Sequence, residues 1–249
     1  MKTIIVGDQM FVASSTEVGV FELPTMVRVA VLPLRGVTHF AANDKVYACL
    51  DSGEVVDASG TRLGVLEGTV TAFAAIDGAV VYGRKQDHLY WVGVMDEEGV
   101  RETPTPDVVY ALSGEGSRYA VGCDQRVVVY DQGVDVFNLH LKKSAVCMCM
   151  KGDTLVIGMA VPDKIPYAAC CVVNLANKTV TYPMYGIDRP PDRVIAVACG
   201  DGAVAYSTKD RTTVIRDDVF ELSLYGNQLF LARDCFVVVS DTNICIQAF

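Results

Sequence analysis

Along the whole chain, short apolar runs alternate with polar breaks of a few residues rich in Gly, Asp, Asn, Lys and Ser. No run keeps a 3.6-residue apolar period over about ten positions, so the pattern predicts strands rather than helices. Between residues 69 and 143 one arrangement occurs twice in succession. The first copy reads VTAFAAIDGAVVYGRKQDHLYWVGVMDEEGVRET and the second VVYALSGEGSRYAVGCDQRVVVYDQGVDVFNLHLKK. Each offers an apolar run, a tight polar turn, a second run, a polar break, a third run, another tight turn and a fourth run. Four strands joined in that order form an antiparallel sheet of about 35 residues, too small to bury both faces alone. Repetition at this spacing predicts an all-β chain folded as a β-propeller, in which each blade is covered by its neighbours.

The same pattern extends in both directions. Runs at 4–6, 10–14, 18–23 and 26–32 predict a first blade, and runs at 37–42, 45–50, 54–58 and 62–66 a second. The prolines of ETPTPD (102–107) cannot donate to a ladder and mark the end of the third. A fifth blade begins at AVCMCM (145–150), breaks at VPDKIPY (161–167) and ends before MYGIDRPPD (184–192), the longest connection expected. The last runs divide in two ways around DVFELSLYG. If that segment opens a new blade there are seven, the sixth of them three-stranded; if it completes the preceding sheet, the last lacks an inner strand unless the N-terminus supplies it.

Seven is favoured, at about 36 residues per blade, with six as the alternative. The expectation is one propeller domain, residues 1–249, of mostly four-stranded meander blades at 1–34, 35–68, 69–106, 107–143, 144–190, 191–217 and 218–249. The chain's own ends, 2–6 and 235–249, are expected to close it.

Composition narrows the partners. The formal charge is −9, from 21 Lys and Arg against 30 Asp and Glu, which disfavours a coat on nucleic acid or anionic membrane but leaves room for a local basic patch. No apolar run approaches the roughly 20 residues needed to cross a bilayer. The start, MKTIIVGDQMF, lacks the apolar region and cleavage site of a secretory leader. Nine cysteines, an odd number, mostly sit inside apolar runs as small hydrophobes would, which fits a reducing cytoplasm.

Catalytic signatures are missing: the chain contains no HExxH, GxSxG, P-loop or dinucleotide fingerprint. His39 and His140 read as partly buried strand histidines, each with one satisfied nitrogen. His88, beside Asp87 and ahead of Tyr90 and Trp91, reads as a binding candidate. Cys147 and Cys149 share a strand face while Cys170 and Cys171 point to opposite faces. No paired CxxC knuckle converges four ligands, so packed thiols, no metal and no cofactor are expected. Asp44, Asp77, Glu115, Asp153 and Asp201 fall in turns between first and second strands, where carboxylates suit the backbone without any catalytic task.

The segments VYDQG (129–133) and VVSDT (238–242) place Tyr130-Asp131 and Ser240-Asp241 where WD-repeat proteins carry Trp-Asp at the end of a third strand. Asp57 is a further such position, and the Gly-His pair of those proteins is absent. Over its whole length the chain resembles the WD-repeat-like β-propeller superfamily. That resemblance implies a ring of blades and a place as a subunit of larger assemblies.

The connections suggest where a partner would sit. In a meander ring, first-to-second and third-to-fourth turns emerge at one rim, and here they are tight. The other rim is expected to carry GRKQDH (83–88), ETPTPD (102–107), VPDKIPY (161–167) and MYGIDRPPDR (184–193). Binding residues collect on loops held by a rigid scaffold, and Arg, Tyr and Trp favour interfaces. The candidate partner-binding residues are Arg84, Lys85, Asp87, His88, Tyr90, Trp91, Lys164, Tyr167, Tyr185, Arg189 and Arg193. The expected function is a non-enzymatic, cytoplasmic interaction scaffold, a subunit or adaptor that holds a protein or peptide on that rim. The alternatives are a hydrolase-like propeller with a pocket in its central channel, and nucleic-acid recognition through the basic loops. Charge reversal at Arg84 and Arg189 is expected to weaken partner capture while changing stability by less than about 0.5 kcal/mol.

Overall fold

The computed structural model describes all residues except 1, 44, 161–169, 183–193, 201, 209–210, 217–218, 223–225, 232–234, 242 and 249. Among the described residues, 27 strands form seven antiparallel sheets, the seven blades of a β-propeller. The chain divides into two compact units, Met1–Tyr119 and Ala120–Phe249.

In the first unit, β1 (Lys2–Val6), β2 (Gln9–Ala13), β3 (Val18–Glu22) and β4 (Val27–Leu32) make the first sheet in that order. The second holds β5 (Val37–Ala42), β6 (Val46–Leu50), β7 (Glu54–Asp57) and β8 (Arg62–Val65). The third holds β9 (Thr69–Ile76), β10 (Ala79–Gln86), β11 (Leu89–Asp96) and β12 (Gly99–Thr105). The fourth begins with β13 (Ala111–Glu115) and continues, past the unit boundary, with β14 (Arg118–Cys123), β15 (Arg126–Asp131) and β16 (Val134–His140).

The second unit adds β17 (Ala145–Lys151), β18 (Thr154–Met159), β19 (Cys170–Asn174) and β20 (Thr179–Thr181) as the fifth sheet. The sixth comprises β21 (Ala196–Gly200), β22 (Ala203–Ser207), β23 (Thr212–Ile215) and β24 (Val219–Leu222). The last has three strands, β25 (Gln228–Leu231), β26 (Cys235–Val239) and β27 (Ile244–Ala248).

The expected assignment of DVFELSLYG is thereby corrected. Val219–Leu222 pairs with β23 and completes the sixth sheet instead of opening the seventh. Among the described residues it is therefore the last sheet that has three strands. β1 pairs with β2 inside the first sheet and supplies no strand to the last.

Burial follows position in the meander. Second strands are nearly all buried, as in β6 (Val46–Leu50) and β18, whereas the fourth strands β4, β12 and β16 are mostly exposed. Each apolar layer draws on two successive sheets. Phe11, Val18 and Val20 pack with Val46, Ala48 and Val56, while Tyr47, Cys49 and Val55 pack with Val80, Tyr82 and Met95. In the second unit Val127 and Val129 pack with Leu155, Ile157 and Val173, and Val156 with Val197 and Tyr206. The sheets thus cover one another, because a four-stranded meander has two apolar faces and the described residues include no helix to bury either.

Tight turns hold the register. At the β15–β16 hairpin Gln132 and Gly133 both have positive φ, 48° and 79°, the twist that a two-residue hairpin requires. Turn carboxylates serve the scaffold: Asp57 Oδ1 accepts from the Ser59 and Thr61 amides of its own turn at 2.8 and 2.9 Å, and Asp77 Oδ1 accepts from Asn43 Nδ2 in the corresponding turn of the second sheet at 2.6 Å. Asp131 and Asp57 end third strands as expected, but Ser240 and Asp241 follow β26, the second strand of its sheet. There Asp241 accepts from Asn227 Nδ2 at 2.6 Å.

His39 lies half-buried in β5, with Nδ1 3.1 Å from Thr38 Oγ1, as its sequence context indicated. His140 does not match: it is exposed on the outer strand β16. Burial of the His39 ring, with the charge of Lys2 adding, lowers its pKa to about 4. An unfolded imidazole titrates near 6.5, so on acidification the unfolded chain takes up the proton first. The stability this group contributes above about pH 6.5 is lost as pH falls toward about 4 and changes little below that. The expected loss is about 1–2 kcal/mol, less than the full shift because the ring keeps contact with water. His39→Gln should flatten the fall in urea midpoint between pH 7 and 4.5, and equal slopes in both proteins would overturn the assignment.

Candidate functional site

The long hairpin β10–β11 carries the described part of the expected site. The segment 83–88 is not a loop: Gly83–Gln86 ends β10, Leu89 begins β11, and only Asp87 and His88 make the turn, with Asp87 at φ 54°. Glu102–Thr105 likewise belongs to β12, where Pro104 sits opposite Trp91 on an outer strand that tolerates a missing N–H. Two of the four elaborate connections read from the sequence are therefore strand ends. The other two, with Lys164, Tyr167, Tyr185, Arg189 and Arg193, lie outside the described residues.

Register decides what each charged side chain can do. Arg84 pairs with Trp91, Lys85 with Tyr90 and Gln86 with Leu89. Tyr82 and Glu102 both pair with Gly93, one from each side. Since Gly93 has no side chain, these two meet over its Cα; a Cβ there would lie 2.5 Å from the Tyr82 hydroxyl and 3.0 Å from Glu102 Cγ. Tyr82 Oη donates to Glu102 Oε1 at 2.7 Å.

Arg84 completes the cluster. Its Nε and Nη2 donate to the two oxygens of Glu102 at 2.6 and 2.7 Å, a bidentate pair. Nη1 donates to Gln86 Oε1 at 2.7 Å and to the Glu67 carbonyl at 3.2 Å. Its guanidinium carbon stands 5.5 Å from the Trp91 ring, within range of a cation–π contact. Four of the five N–H donors are thus engaged, and the side chain is only 11% exposed. The hydrogen bonds from Arg84 hold the Glu102 carboxyl below the usual range, and that same pairing raises Arg84. Burial pushes the Tyr82 phenol up, with the bond to Glu102 adding.

Arg84 and Trp91 are therefore internal supports of the hairpin and not free contact groups. Arg84→Glu would place two carboxylates together in a half-dry site, so the sequence-based expectation of a harmless charge reversal is corrected. The groups turned outward are Lys85, Asp87, His88 and Leu89. Lys85 Nζ lies 5.8 Å from the half-buried Tyr90 ring, and Leu89 is 60% exposed. Leu89, Tyr82 and Glu102 were not among the candidates drawn from the sequence. A glycine inside the apolar run WVGVMD was the available sign that side chains approach closely there.

Among the described residues no three His, Cys, Asp or Glu side chains are grouped to hold a metal. All nine cysteines lie in strands, and Cys49, Cys170, Cys171 and Cys199 are buried. Burial, with neighbouring Cys170 adding, pushes the Cys171 thiol up to about 12, well away from a reactive thiolate.

No protein-family model matches the chain, and no curated protein matches it by sequence. Its structure is similar to solved propellers. The Neurospora crassa Pan2 WD40 domain superposes with a TM-score of 0.71 at 12% identity, covering 98% of this chain and 87% of that one. Kluyveromyces lactis Hsv2 gives 0.70 at 10% identity, with 97% and 94% covered. A chain from the structure of a mitotic checkpoint complex gives 0.70 at 12% identity, with 97% and 84% covered. Shared topology at this identity concerns the fold: the chain is a seven-bladed, WD40-like β-propeller.

Proposed function

We propose that the chain is a non-enzymatic protein-interaction scaffold, a subunit or adaptor of a larger intracellular assembly. It binds a protein or peptide at the β10–β11 turn. The observation that carries this reading is Leu89, 60% exposed at the tip of a hairpin that Arg84, Glu102 and Tyr82 clamp from inside. A large apolar side chain held rigidly in water and flanked by Lys85, Asp87 and His88 has the form of an interface anchor with a polar surround. The propeller fold, and the occurrence of one similar chain within a mitotic checkpoint complex, support protein binding as the general role.

The test is affinity capture from native extract of the source organism with wild type and the double variant Lys85→Glu/Leu89→Asp. Captured partner should fall by about tenfold or more, with melting unchanged within about 2 °C, since exposed substitutions move stability by less than about 0.5 kcal/mol. Equal capture by both proteins would remove the hairpin tip from consideration.

A further inference from the structure

Strand alternation sends two thiols into one layer. On β17, Met148 and Met150 pack with the fourth sheet, while Cys147 and Cys149 face the sixth. On β21, Ala196 and Ala198 pack with the seventh sheet, while Val197 and Cys199 face the fifth. Both are first strands, and the small side chains of AVCMCMK and AVACG let the two backbones approach. There Cys149 Sγ and Cys199 Sγ stand 3.3 Å apart.

Backbone contacts fix the pair face to face. Cys199 N–H donates to Cys149 Sγ at 3.2 Å, and Cys199 Sγ–H donates to the Cys149 carbonyl at 3.2 Å. Each sulfur is therefore held against the other residue's main chain, although the two residues are 50 positions apart in sequence. An S–S bond is about 2.05 Å long, so joining these sulfurs asks for a side-chain movement of roughly an ångström. Exposure separates their roles. Cys149 is half-buried and Cys199 is only 6% exposed, so an oxidant from solvent meets Cys149 first, with Cys199 as the shielded second thiol.

We propose that Cys149 and Cys199 form a peroxide-sensitive dithiol, which oxidation converts into a covalent link between the fifth and sixth sheets. The Cys149 thiolate attacks one peroxide oxygen and the O–O bond breaks. The sulfur becomes a sulfenic acid, and water leaves with the proton that the thiol gave up. The Cys199 sulfur then attacks the Cys149 sulfur, the S–O bond breaks, and a second water leaves with the Cys199 proton. Two thiols lose two electrons and one peroxide gains them. A small thiol reductant reverses the link by exchange. Both sheets belong to the unit Ala120–Phe249, so the link ties two blades of one compact body and restricts its unfolded chain. This pair is separate from the hairpin tip, so it can fail or hold independently of that site.

The experiment treats the reduced 249-residue chain, folded, with hydrogen peroxide, alkylates it under denaturing conditions and maps its tryptic peptides without reduction. Residues 144–151 and 194–209 should appear as one linked pair, with two fewer alkylated thiols than in the untreated chain. Fragment ions should place the bond on Cys149 and not on Cys147, so the wild-type protein decides the pairing whether or not any variant folds. Cys147→Ser should form the link as wild type does, whereas Cys149→Ser and Cys199→Ser should form none. The oxidised chain should melt about 5 °C or more above the reduced one, and dithiothreitol should return it to the lower value. Full alkylation of all nine cysteines after peroxide would overturn the proposal, as would Cys149 passing on to sulfinic acid with Cys199 still free. So would a bond to any other cysteine, a link between two chains, or an oxidised chain that melts no higher.

Discussion

Arg84→Ala is expected to lower stability by about 2–4 kcal/mol, against about 0.5 kcal/mol for an exposed loop arginine. The loss has three parts. Glu102, only 20% exposed, keeps its charge without a bidentate partner; Tyr82 retains an acceptor whose orientation Arg84 no longer fixes; and the Glu67 carbonyl loses a donor. Removing one member of a mostly buried pair leaves the other's desolvation uncompensated, which is the larger part of the effect. For a chain of this size the melting temperature should fall by roughly 5–15 °C. The triple variant Tyr82→Phe/Arg84→Met/Glu102→Leu should recover most of that, because the whole polar cluster is then replaced by apolar groups of similar size. A single variant melting within about 2 °C of wild type would show that the cluster is not a clamp.

Ile157→Ala should have an effect of similar size, about 2–5 kcal/mol. Ile157 is fully buried in the middle of β18, in a layer with Val127 and Val129 from one sheet and Leu155 and Val173 from the next. The cavity would therefore open between sheets and weaken their docking directly. Val134→Thr makes the informative contrast. Val134 belongs to the same apolar vocabulary but is 64% exposed on β16, and its replacement should change stability by no more than about 0.5 kcal/mol. Similar losses for both variants in urea unfolding would mean that the layers between sheets are not what holds the blades.

The strand order was legible because alternation and turn residues repeat. In the second sheet the apolar runs at 37–42 and 54–58 lie within a residue of β5 and β7. What failed was the distinction between a loop and the polar end of a long strand. Arg84, Lys85, Gln86 and Glu102 look like loop residues when read along the chain, yet Arg84 pairs with Glu102 across the strand between and donates to Gln86 on its own strand. Residues 18 positions apart meet only once the register of two hairpins is known. The place of DVFELSLYG was misjudged for a related reason: an apolar run states that it belongs in a sheet, but pairing partners decide in which one.

Every strand in these sheets pairs with the strand next to it in sequence. Consecutive hairpins close short loops at little entropic expense, so each sheet has low contact order and can form early and locally. The distant contacts run mostly through the first strands, with β1 against β5 and β5 against β9 in the first unit, and β17 against β21 and β21 against β25 in the second. The rate-limiting event in folding should then be the docking of preformed meanders within each unit, a step at which hairpin pairing is complete while the layers around Phe11, Met95, Ile157 and Phe236 are still filling.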